Sequence, residues 1–146
     1  MNAHNVTITA FVRENELAGG RLLYSRILPD AAVVEERLEP ETEGGVFTEP
    51  LYVLKTVLSQ QKQVEGFIRR MVDGLSERDL AEVRDNLKNR IDDDCSLYLR
   101  FDKKEFSAGN FVLRARDPVH VKIKLAAFPK NKINAVKTAR VMLEAK

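Results

Sequence analysis

The 146 residues are 44% hydrophobic and 32% charged, with a single cysteine, no tryptophan and a formal net charge of +2. That length can bury a core for one domain, no run approaches the roughly 18 consecutive apolar residues of a membrane span, and one cysteine cannot close an internal disulfide. Met1 to His4 leads straight into an alternating segment with no signal-peptide pattern, so a cytoplasmic protein is expected.

Val6 to Val12 alternates and is rich in β-branched residues, which predicts a strand. From Glu14 to Leu28 the period changes: Leu17, Leu22 or Leu23, Tyr24, Ile27 and Leu28 fit one helical face. Gly19 and Gly20 each cost about 1 kcal/mol relative to alanine, which predicts a short or broken helix. Pro29-Asp30 ends it, and Ala31 to Leu38 reads as a second strand. Glu39 to Gly45 is an acidic loop, the segment most expected to be mobile. Leu51 to Leu58 is apolar on both faces apart from Lys55 and Thr56, the pattern of a central strand covered on both sides.

Gln60 to Leu75 restores the helical period through Val64, Phe67, Ile68, Met71, Val72 and Leu75. Ser76 then opens another helix, its oxygen able to accept from free backbone N–H groups, with Glu77 and Asp79 at the positive end. This helix is expected to run to about Ile91, with Leu80, Val83, Leu87 and Ile91 inward. Leu97 to Asp102 alternates as a strand, Phe106 to Asn110 turns, and Phe111 to Arg116 reads as the returning strand. After Asp117-Pro118, Val119 to Leu125 alternates again. Beyond Pro129, Asn131 to Ala145 forms a last helix with Ile133, Val136, Ala139 or Arg140, Val141 and Leu143 on one side. No repeat, low-complexity tract or linker interrupts the chain. The expectation is one α+β domain over residues 1–146, in the order β-α-β-β-α-α-β-β-β-α.

The charge is unevenly spread. Residues 1–50 hold 4 Lys and Arg against 9 Asp and Glu, residues 51–94 hold 8 against 9, and residues 95–146 hold 12 against 4. Such asymmetry bears on partners rather than on fold. Side chains alternate between strand faces. If the three late strands form a meander with their apolar faces aligned, the other face carries Tyr98, Arg100, Arg114, Arg116, His120, Lys122 and Lys124, with Asp102 as its one acid. Like charges on neighbouring strands repel, a cost that a polyanion converts into affinity by releasing condensed counterions. Tyr98 offers a ring for an unpaired base. Lys103 and Lys104 follow the first of these strands, and Lys130, Lys132, Lys137 and Arg140 extend the basic region into the last helix. Lys and Arg on a solvated face also keep edge strands from aggregating, but single-sign clustering favours an anionic partner.

Other chemistry finds little support. Asp92-Asp93-Asp94 lacks the glycine and bidentate glutamate of an EF-hand loop; it reads as a polar helix-to-strand connection, one Asp capping or pairing with Arg90 or Arg100, because a metal site needs carboxylates converging from separate elements. His4, His120 and Cys95 are too few for a zinc site. No Walker loop, dinucleotide-binding glycine motif or Gly-x-Ser-x-Gly element is present. Gly44-Gly45, among acids, reads as a turn rather than a phosphate cradle. No catalytic residue, metal or cofactor is expected.

The stretch from Arg90 to Lys103, with its Arg-Ile-Asp-Asp and Leu-Tyr-x-Arg-Phe-Asp-Lys elements and the following Gly109, resembles an archaeal family described as predicted RNA-binding proteins, sometimes labelled exosome subunits. Phe128-Pro129 before the final helix and the opening strand fit as well. A Gly-Asn-Pro-Ile-like turn of that family is replaced by Thr48-Glu49-Pro50-Leu51, which puts a ligand role for that loop in doubt. The resemblance implies a fold like ribosomal protein L5, related to double-stranded-RNA-binding domains: a mixed, mainly antiparallel sheet with helices mostly on one face.

The resulting expectation is a non-catalytic RNA-binding protein. It would contact phosphates of structured or partly double-stranded RNA through Arg100, Lys103, Lys104, Arg114, Arg116, Lys122 and Lys124, with Tyr98 as a stacker. The alternative is a protein-interaction subunit of an RNA-processing or translation assembly, without direct RNA contact. A metal-dependent phosphoryl-transfer enzyme built on Asp92, Asp93 and Asp94 ranks third.

Overall fold

The computed structural model describes residues 1–28, 32–40 and 49–144, with backbone alone for residues 22, 23 and 25–27. Most of the acidic loop, from residue 41 on, therefore lies outside the described residues, as do Pro29, Asp30, Ala31, Gly44-Gly45, Thr48 and Ala145. Among the described residues, five strands and six α-helices follow in the order β1 (Ala3–Arg13), α1 (Leu17–Ile27, after a short 3-10 turn), β2 (Val34–Leu38), β3 (Leu51–Leu58), α2 (Gln61–Gly74), α3 (Glu77–Asp85), α4 (Leu87–Arg90), β4 (Ser96–Phe101), α5 (Lys103–Ser107), β5 (Val119–Leu125) and α6 (Lys132–Leu143). The strands lie side by side as β2-β3-β1-β5-β4, and all four ladders are antiparallel rather than mixed.

The two-residue alternation of the strands decides which face is dry. Val6, Ile8, Ala10 and Val12 of β1, Leu54 and Leu58 of β3, Val119, Val121, Ile123 and Leu125 of β5, and Leu97, Leu99 and Phe101 of β4 are all buried. They join Val64, Phe67, Met71 and Val72 of α2, Leu80 and Val83 of α3, and Ala135, Ala139, Met142 and Leu143 of α6 in one apolar cluster. Each large side chain so enclosed contributes about 1.5–3 kcal/mol. The helices therefore gather on one side of the sheet, as the family resemblance implies, and among the described residues no helix covers the other side. That bare side positions the site.

Several elements differ from the sequence reading, each for a local reason. Gly19 and Gly20 do not break α1. Gly20 lies close against the sheet, since a Cβ there would lie 2.7 Å from Leu54 Cδ1. Tyr24, one turn on, is buried and donates its hydroxyl to the Leu54 carbonyl at 2.8 Å. The strand expected from Ala31 begins only at Val34. β3 is not covered on both sides: it stands second from the edge, with Lys55 and Val57 exposed and β1 taking the centre. The helix expected from Ser76 to Ile91 divides at Asn86, whose backbone leaves the helical region while its side-chain amide donates to the Glu82 carbonyl. Ser76 caps α3 as expected, accepting from Asp79 N at 3.1 Å.

The largest departure is residues 103–116. Asp102 does not continue β4; it caps α5, accepting from Glu105 N at 2.9 Å. The predicted strand from Phe111 to Arg116 is not a strand. Only Leu113 bridges Phe101, and Phe111 leaves the sheet plane to pack against Phe67, Phe101 and Phe106 at ring separations of 5.3–5.8 Å. The segment instead seals the outer edge of β4. Asp102 N and Arg114 N donate to the Val112 and Arg100 carbonyls, and on the same edge Asp92 N donates to the Ser96 carbonyl. Closing an edge this way prevents open-ended strand addition.

Candidate nucleic-acid interface

Cross-strand register sets out the bare face in rows. One row is Tyr98 on β4, Lys122 on β5, Thr7 on β1 and Val57 on β3; the next is Arg100, His120, Thr9 and Lys55. Phe11 lies beyond, and Lys124 one step back. Tyr98, Arg100, His120, Lys122 and Lys124 thus share a face, as the alternation requires. Arg114 and Arg116 lie in an irregular segment along the β4 edge, so strand parity does not place them on it. Lys103 and Lys104, which follow β4, open α5. The late meander has two strands, not three.

The cations on this face differ in how far they are committed. Arg100, Lys122 and Lys55 have no carboxylate partner among the described residues; the Lys122 ammonium lies 5.8 Å from the centre of the Tyr98 ring. Lys124, by contrast, is paired with Asp94 at 2.6 Å, and Lys130 reaches the same carboxylate at 2.9 Å. Hydrogen bonds from those two lysines bring the Asp94 pKa down to about 2. Around the β4 edge, Arg114 pairs with Asp102 at 2.9 Å. Lys103 binds Asp117 at 2.8 Å and also the Phe11 carbonyl. Lys104 and Arg116 are exposed. Among the described residues of the front half, Glu35 pairs with Arg21, Glu39 with Arg37 and Glu49 with Arg13, and no described acid there pairs with a late cation.

The aspartate run is divided by backbone geometry. Asp92 accepts from Asp94 N, Ser96 N and the Tyr98 hydroxyl, the last at 2.8 Å, while Cys95 adopts a positive φ of 62° to complete the turn. Burial opposes ionisation of Asp92, but the three hydrogen bonds outweigh it and hold the carboxyl below its usual range. The bond to Asp92 in turn raises the Tyr98 phenol and fixes its ring. Asp92 closes the polar helix-to-strand connection by accepting from backbone within it rather than by capping a helix end. The pairing runs from Asp94 to Lys124 and Lys130, not to Arg90 or Arg100; Arg90 pairs with Glu82.

His120 is half-buried in the middle of the face, its ring edge-on to Phe11 at 6.2 Å between centres. Desolvation first, then the charges of Arg100 and Lys103, lower its pKa. The sequence reading missed Phe11, Thr7, Thr9 and Lys55, because parity was applied to the late strands alone. The same alternation in Val6 to Val12 marks Thr7, Thr9 and Phe11 as the outward set. These residues with Tyr98, Arg100, His120 and Lys122 line a shallow trough across the sheet.

A basic sheet face that no described helix covers, beside an apolar helical layer, defines an antiparallel α+β protein, and comparison with known sequences narrows the class. A family model described as RNA binding matches residues 5–125, and the chain belongs to that RNA-binding family. It is 28% identical over 150 residues to RNA-binding protein PAB1135 of Pyrococcus abyssi, covering 99% of this chain and 96% of the relative. Among solved structures it is similar to Mth689, a DUF54 protein from Methanothermobacter thermautotrophicus, with a TM-score of 0.79 and 25% identity over 98% of this chain and 99% of that one. Protein AF2318 from Archaeglobus fulgidus, also described as DUF54, shares the fold with a TM-score of 0.80 at 22% identity over 96% and 99% of the two chains.

Proposed function

We propose that the protein is a non-catalytic RNA-binding module that holds the phosphate backbone of structured or partly double-stranded RNA against its bare sheet face. The observation that carries this reading is the set of cations without carboxylate partners among the described residues, Arg100, Lys122 and Lys55, on a face free of described helices in a member of an RNA-binding family. Lys124 adds charge by exchanging Asp94 for phosphate. Arg114, Arg116, Lys103 and Lys104 flank the sheet at its β4 edge and α5 end, where they engage RNA that extends past the face. Tyr98 contributes a ring. Phosphates neutralised by these groups release counterions, so affinity falls steeply with salt.

The test is a titration of a fluorescently labelled hairpin RNA with an unpaired tail at two salt concentrations. Arg100→Ala and Lys122→Ala should each weaken binding about equally across RNA sequences and lower the salt slope by roughly 1. Lys137→Ala, on the exposed side of α6, should leave both unchanged. Affinity indifferent to salt would overturn the proposal. The assembly reading predicts instead that partners captured from lysate persist after nuclease treatment.

A further inference from the structure

The bare face carries something that phosphate binding does not require. Phe11 is 39% exposed and Tyr98 is 42% exposed, on a surface whose rows are otherwise Lys, Arg, His and Thr with Val57 on β3. An aromatic ring left facing water loses the gain of burial, and one such ring is ordinary, but here two rings stand on one sheet face with His120 close by. Both are held in place. Tyr98 is tethered by its hydroxyl to Asp92, and Phe11 meets the His120 imidazole edge-on with an interplanar angle of 88°. From strand spacing and rise, the diagonal from Phe11 to Tyr98 spans roughly 16 Å, with His120 at its middle. Arg100 and Lys122 stand beside this diagonal.

A paired duplex keeps its base faces stacked inside and offers phosphates and 2′-hydroxyls, for which rings set among the cations have no use. An unpaired strand has free base faces, and a sheet whose outward aromatics stack two or three bases is an effective way to hold one. We infer that the trough from Phe11 to Tyr98 receives a short unpaired stretch of RNA, its bases stacked on those two rings and on His120, its phosphates met by Arg100 and Lys122. This rests on the RNA-binding reading above and narrows it: within a structured RNA, the single-stranded part occupies the sheet.

Three RNAs separate the possibilities: an unstructured oligoribonucleotide, the hairpin with an unpaired tail, and a blunt perfect duplex. The first two should bind at least tenfold more tightly than the third, on the order of one stacked base. Tyr98→Ala and Phe11→Ala should each weaken the oligoribonucleotide on the order of tenfold without altering the salt slope. Tyr98→Phe should retain most of the affinity and Tyr98→Leu should not, which separates stacking from apolar bulk. Because the chain has no tryptophan, Tyr98→Trp supplies a direct reporter, its emission quenched by the oligoribonucleotide and unaffected by inorganic polyphosphate. Unchanged melting temperatures for the alanine variants would show that the fold is intact. Equal affinity for the blunt duplex, with Tyr98→Ala and Phe11→Ala silent while Arg100→Ala still weakens binding, would overturn the stacking inference and leave the phosphate reading standing. Indifference of all three RNAs to salt and to Arg100→Ala would remove both.

Discussion

His120 stands where the two requirements of the bare face meet, against Phe11 on one side and near Arg100 and Lys103 on the other. Partial burial and those two cations favour its neutral form, so its folded pKa lies below the ordinary value of about 6.5. The sign of the consequence follows. As pH falls through about 6.5 the unfolded chain takes up the proton more readily than the folded one, so the free protein loses stability from there toward the folded pKa. A phosphate brought beside the imidazole reverses the local field and raises that pKa, so binding takes up a proton. RNA affinity measured at constant ionic strength should therefore rise as pH is lowered from about 7.5 to 5.5. His120→Gln should flatten that dependence while leaving the salt slope at pH 7.5 unchanged, because a neutral imidazole contributes no counterion release.

At the level of elements, what was legible from sequence follows from which signals are local. The strict alternation of Leu97 to Phe101 and of Val119 to Leu125 fixed β4, β5 and the outward set Tyr98, Arg100, His120, Lys122 and Lys124, because a period of two leaves a strand no other way to bury its leucines and valines. Phe111 to Arg116 alternates too, but alternation does not supply a partner. Phe111 instead completes the aromatic cluster with Phe67, Phe101 and Phe106, and the edge it would have extended is closed by single backbone bonds. The helix that leads into the expected turn at Gly109 carried a readable sign: Asp102 followed three residues later by Glu105 is an N-terminal capping pattern like Ser76 to Asp79. The division of the Asp92 to Asp94 turn was not readable, since it depends on Lys124 and Lys130 arriving from distant chain. The cap is testable. Asp102→Ala should cost about 1 kcal/mol in denaturant unfolding, because the free N–H groups of α5 lose their acceptor. Asp102→Asn keeps the cap and loses only the exposed pairing with Arg114, so its cost should stay within a few tenths of a kcal/mol.

For the molecule as a whole, the division of labour between the two sides of the sheet sets what binding can do to stability. Buried residues from β1, β3, β4 and β5 and from the helices packed on them form one continuous cluster, so we propose that the described residues unfold as one domain in a single transition. The bare face contributes little to that cluster. Its cations repel one another in the free protein, and a ligand that engages the face acts on stability through mass action alone. At a free RNA concentration about 100 times Kd, the folded state gains roughly 2.7 kcal/mol. For a chain of this length that should raise the melting temperature by roughly 5–10 °C. The measurement is a calorimetric scan with and without the tailed hairpin. One transition is expected in both, shifted upward by RNA, with the shift much reduced for Arg100→Ala while the transition of the free variant stays within a degree or two of the parent. Two separable transitions would overturn the single cooperative unit, and an RNA shift untouched by Arg100→Ala would mean that RNA grips some other surface, because the proposed contact of the bare face with phosphate runs through Arg100.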